Sequence, residues 1–99
     1  MEELIKKVQE WSKDRNLHTA DPKAQFAKLI EEIGELATGL NKQNNALIED
    51  SIGDSLVVLI ILCQQLGLDL KECLETAYNE IKDRKGKIIN GTFVKETDL

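Results

Sequence analysis

Ninety-nine residues suffice for one domain with a modest core. Eighteen acidic residues against thirteen basic ones leave a net charge of −5. That balance argues against a nucleic-acid backbone or an anionic membrane as the main partner and favours a divalent cation, which brings its own positive charge.

The first predicted element is a helix from about Glu2 to Asp14, with Leu4, Val8 and Trp11 at helical spacing. The N-terminal MEELIKKVQEW is charged throughout and lacks an apolar leader core, so a cytoplasmic protein is expected. RNLHTADP interrupts the pattern, and its His18, the only histidine, is expected at the surface. Asp21 followed by Pro22 is a helix-start signal. The second helix runs from there to about Lys42, with Phe26, Leu29, Ile30, Ile33, Leu36, Ala37 and Leu40 as its apolar stripe.

A polar connector, Asn41 to Asn45, leads to a third helix over about Ala46 to Leu66, which Gly67 is placed to end. This helix is apolar nearly all round from Leu56 to Leu62, which predicts burial and a second chain covering one side. Its run VVLIIL is too short to span a bilayer. Asp69 with Glu72 opens a fourth helix reaching about Lys85. Cys63 and Cys73 lack CxxC spacing, sit in apolar stretches and are expected as small buried hydrophobes. KIINGTFVK places two β-forming runs around Asn90-Gly91, which predicts a small hairpin. Four helices and a short tail imply an all-α, four-helix bundle-like domain over residues 1–99, helical over about 2–85 with a tail at 86–99.

Two groups of acids carry the chemistry. Glu31, Glu32 and Glu35 fall within an arc of about 100° on one side of the second helix. Their mutual repulsion is met either by Lys28, in an ordinary solvated face, or by Mg²⁺ held between oxygen ligands at one-turn spacing. Asp54 lies on the same side of the third helix as Leu47, Val58 and Ile61, with Asp50 one turn earlier. A lone carboxylate there would be costly unless solvated, hydrogen-bonded or bound to a cation. Gly53 keeps the surface beside Asp54 small.

The pattern EExxE, a spacer, and an Asp opening an apolar helix resembles the MazG-like family. These are all-α nucleoside triphosphate pyrophosphohydrolases, with dimeric dUTPases and dCTP pyrophosphatases as relatives. The family pattern is EExxE…ExxD. The first half is intact as Glu31-Glu32-Ile33-Gly34-Glu35. The second reads Ser51-Ile52-Gly53-Asp54, with serine where the family usually has glutamate. The resemblance extends to WSKDRNL, GLDLKE and YNEIKDRKGK, and is greatest to the short phage-associated type.

The resemblance implies Mg²⁺-dependent hydrolysis of a nucleoside triphosphate to the monophosphate and pyrophosphate, in nucleotide pool housekeeping, with Mn²⁺ as a substitute metal. It implies Glu32, Glu35 and Asp54 as ligands, and Glu31 as a further ligand or as a base orienting water. Asp50 is the candidate to replace the charge missing at Ser51. Lys82, Arg84 and Lys85 either face phosphates or complement the end of a helix, and Asn79 matches a position near the nucleotide. Lys28 and Gln25 lie on the acidic side, within reach of phosphate or sugar. Trp11 belongs to the core or stacks on a base. Assembly into a homodimer or homotetramer is implied. The alternative is a non-catalytic nucleotide-binding or oligomeric module that retains the fold.

Overall fold

The computed structural model describes residues 1–99. Four helices, α1 (Glu2–Asp14), α2 (Pro22–Lys42), α3 (Asn45–Leu66) and α4 (Leu70–Ile81), precede a hairpin of β1 (Gly86–Ile89) and β2 (Thr92–Lys95). Local chemistry sets most of these limits. The Asp21 carboxylate caps α2 by accepting from Lys23 N at 2.9 Å, with Pro22 in the first turn. The Asn44 side chain caps α3 by accepting from Leu47 N at 3.1 Å. Asp69 accepts from the backbone N–H groups of Lys71 and Glu72 to cap α4. Each cap satisfies a donor that the first helical turn leaves unpaired. Gly67, with φ +70°, terminates α3 as expected.

The antiparallel pair α2–α3 is the body of the molecule. Gly39 meets Leu47 and Ile48 at one end, and Pro22 and Phe26 approach Leu62 and Leu66 at the other. A Cβ on residue 39 would come within 3.1 Å of Ile48 Cγ1, so glycine permits the close approach after the tight connection. The pairing of the two helices brings Glu32 and Lys28 of α2 near Asp54 of α3.

A short 3₁₀ turn at Leu17–Thr19 and α1 lie against α3. Two glutamines fasten them: Gln64 donates to the Gln9 carbonyl at 3.2 Å and Gln65 to the Leu17 carbonyl at 2.9 Å. His18 is half-buried in this turn rather than at the surface, and its Nδ1 has no partner.

The core is thin. Val58, Ile60 and Ile61 are its buried apolar side chains. Ser12 and Ser51 are fully enclosed. Ile52, Leu56 and Leu66 remain substantially exposed, so a single chain does not cover the apolar helix. Trp11 is half exposed rather than in the core, with the Arg15 guanidinium 4.2 Å from its ring centre. No helix is long and apolar enough to cross a membrane.

Helix α4 ends at Ile81 rather than about Lys85. Arg84 N donates to the Ile81 carbonyl, and the chain turns into β1. Lys82, Arg84 and Lys85 therefore follow the helix instead of occupying its last turn. Leu74, Tyr78 and Ile81 line one stripe of α4 and are all exposed. Cys73 is exposed too, so only Cys63 approaches the expected burial. The α4–hairpin arm projects from the body, and the radius of gyration is 16.2 Å. A compact chain of this length has about 13 Å.

The hairpin pairs Gly86 with Lys95 and Ile89 with Thr92. Asn90 (φ 52°) and Gly91 (φ 77°) supply the two left-handed residues its tight turn requires. A Cβ at position 86 would lie 2.1 Å from the Val94 carbonyl oxygen. Gly86→Ala should therefore open the hairpin, seen as faster amide exchange in Lys87–Val94, while the helical circular dichroism is unchanged.

Candidate functional site

Helix α2 carries Lys28, Glu31, Glu32 and Glu35 on the side from which Glu32 turns inward against α3. Glu32 is buried, with only 5% of its surface exposed. Its Oε1 meets Lys28 Nζ at 3.3 Å, whereas its Oε2 is enclosed and has no hydrogen-bond partner. Lys28 also lies 3.7 Å from Glu31 Oε2. The hydrogen bond and charge of Glu32, followed by the charge of Glu31 and a smaller effect of Glu35, hold the Lys28 ammonium above the usual lysine range.

Asp54 is half-buried on α3, close enough to Glu32 for the charge of that carboxylate to act on it. Its carboxyl is pushed above the usual carboxylate range, first by desolvation and then by the negative charges of Asp50 and Glu32. Lys28 partly offsets these effects. Two carboxylates facing each other at the edge of an apolar stripe need a shared proton or a shared cation. An unpartnered, buried carboxylate oxygen is the polar atom such a cation would satisfy. The available donors are carboxylate oxygens, the chemistry that suits Mg²⁺ or Mn²⁺. Glu32 and Asp54 could hold such an ion, with Glu35, Glu31 or Asp50 completing it. As the side chains stand, no three acidic, histidine or cysteine side chains converge on one point.

The remaining sequence candidates are distributed around this pair. Asp50 is exposed but close enough to raise Asp54 by its charge. Glu31 and Glu35 are exposed on α2, and Gln25 is half-buried toward its start. Ser51 is completely enclosed, its hydroxyl unpartnered and its carbonyl accepting from Ser55 Oγ at 2.8 Å. Nothing approaches Gly53 within 4 Å of an added Cβ, so the space beside Asp54 is open in one chain.

Asn79, Arg84 and Lys85 line a polar hollow with Lys95 and Glu96 on the projecting arm. Lys82 lies on the same arm, just after α4. The arm does not pack on α2, so one chain does not bring these residues to the acids. Trp11 borders an apolar groove with Leu4, Val8 and Val57 on α1 and α3. Sequence periodicity alone did not identify Ser12, Gln64 and Gln65 as structural positions. Small or amide side chains interrupting otherwise apolar contact faces were the available signal.

The model of the MazG nucleotide pyrophosphohydrolase domain matches residues 20–89, a span that includes both acid-bearing helices. The chain is also 46% identical over 70 residues to an uncharacterized 18.2 kDa protein from the rep-hol intergenic region of Haemophilus phage HP1. That similarity covers 70% of this chain and 43% of the phage protein's own length. No solved structure matches. With the intact EEIGE turn set against Asp54, and with the matched span reaching from the cap of α2 into β1, the chain belongs to the MazG nucleotide pyrophosphohydrolase domain family.

Proposed function

We propose that the protein hydrolyses a nucleoside triphosphate to the monophosphate and pyrophosphate, with Mg²⁺ held by Glu32 and Asp54 together with Glu35. The observation that supports this most is the buried Glu32 carboxylate, which keeps one oxygen without a partner and lies near enough to Asp54 for its charge to act there, in a family-matched helix pair. When bound, Mg²⁺ supplies positive charge to the phosphate oxygens and acidifies water. Glu31, being exposed, is positioned to receive a proton from a water molecule or to serve as a further ligand. Asp50 supplies the charge that Ser51 does not. Helix α3 fixes Asp54 through the buried residues Val58 and Ile61 farther along the same side.

A pyrophosphate-release screen over canonical and modified nucleotides, with Mg²⁺ and Mn²⁺, tests this reading. At least one nucleotide should be turned over, and Glu35→Gln should remove that activity without changing helical content. Silence across the panel would refute it. The enclosed serine at the usual glutamate position favours one alternative, nucleotide binding without turnover. Calorimetric binding of a nucleotide by a protein inactive toward it would select that alternative.

Assembly into a homodimer or homotetramer belongs to the same proposal. It is supported by the exposed apolar stripe of α4 and the uncovered residues of α3. An arm from a neighbouring copy laid over α2 and α3 would bring Asn79, Lys82, Arg84 and Lys85 to the phosphates. Native mass spectrometry should show no stable monomer at nanomolar concentration; a folded monomer there would contradict the assembly.

A further inference from the structure

We propose that Lys28 is a built-in counter-cation that occupies Glu32 in the metal-free protein and that a divalent ion must displace. The inference rests on the metal reading above and adds a residue that tunes metal affinity. Glu32 is buried, and Lys28 Nζ, 3.3 Å from Oε1, is its sole ion-pair partner. Without that ammonium, the metal-free protein would hold an uncompensated buried charge beside Asp54 and Asp50.

Lysine has the right chemistry for a placeholder. Its ammonium is a point charge on a flexible stem, here more than half exposed, so it reaches the carboxylate from outside and can withdraw into water. It satisfies one oxygen and leaves Oε2 without a partner. An arginine in its place would present a planar fork able to take both oxygens and would be harder to displace. An ammonium against Oε1 and a dication bound to the same carboxylate repel each other, so metal binding and the Lys28–Glu32 contact compete. The resting ion pair thus protects the fold without metal and lowers metal affinity.

The test is Mg²⁺ titration calorimetry, with thermal unfolding in EDTA and in saturating Mg²⁺, on the wild type, Lys28→Met and Lys28→Arg. Metal affinity should rank Met above Lys above Arg, with a gain of about two- to fivefold for Lys28→Met, as expected when a competing partly exposed ion pair is removed. Stability should run in the opposite order in EDTA. Saturating Mg²⁺ should bring Lys28→Met up to the wild type or beyond. Equal or weaker Mg²⁺ binding by Lys28→Met, with wild-type binding intact, would overturn the proposal while leaving the metal reading standing. Absence of Mg²⁺ binding in all three proteins would overturn the metal reading and the proposal together. If Lys28→Met is unfolded in EDTA and Mg²⁺ does not rescue it, the ion pair is structural and the displacement model fails.

Discussion

In Asp54→Asn protein, pyrophosphate release is expected to fall by about a hundredfold or more, because the change removes a proposed ligand rather than a group behind one. The metal-free fold should not suffer in parallel. Desolvation and the charges of Asp50 and Glu32 raise the Asp54 carboxyl above its ordinary range, with Lys28 the opposing charge. The folded state therefore binds this proton more tightly than the unfolded state. Above the ordinary carboxylate value of about 4, the unfolded chain releases the proton before the folded one does, so stability declines with pH until the raised folded value is passed. The loss is then complete and persists at neutral pH. Asparagine removes this contribution. Urea midpoints measured in EDTA across the acid range should fall less with pH in the variant, and at neutral pH should match or exceed those of the wild type. A large loss of neutral-pH stability would instead assign Asp54 a structural role.

Ile61→Ala is the substitution expected to damage the fold most. Its side chain is 3% exposed, and only Val58 and Ile60 share its status as buried apolar residues. Truncating a buried isoleucine leaves a cavity and costs about 2–5 kcal/mol. For a domain of this length, total stability is about 5–15 kcal/mol, so this single change removes a substantial part. Urea unfolding followed by circular dichroism measures it. Leu74→Ala is the informative contrast, because Leu74 is 68% exposed. In an isolated chain it should cost less than about 0.5 kcal/mol. A larger cost that grows with protein concentration would identify a second copy against α4.

Helix limits were legible where local chemistry sets them. Asp21-Pro22, Asp69 and Gly67 mark their boundaries by capping, and Asn90-Gly91 marks the hairpin. The end of α4 was not, because the run after Ile81 is basic and compatible with a helix, whereas the hairpin requires Gly86 to pair with Lys95. Burial was only partly readable. Periodicity identifies an apolar face but not what covers it, so the stripes of α4 and part of α3 emerge exposed in one chain. At the candidate site, spacing grouped Glu31, Glu32 and Glu35, but all three look alike in sequence. Only the approach of α3 makes Glu32 the buried member, with Lys28 on one oxygen and the other free. The nearness of Asp50 to Asp54 follows from helical spacing, while the complete enclosure of Ser51 needed the packed helix pair.

The proposed cleavage of a nucleoside triphosphate between its α- and β-phosphates can be read from the products themselves. Phosphorus NMR of the wild-type protein with Mg²⁺ and a nucleotide panel should show a monophosphate and pyrophosphate from at least one substrate. Nucleoside diphosphate with orthophosphate, or unchanged triphosphate throughout the panel, would contradict it.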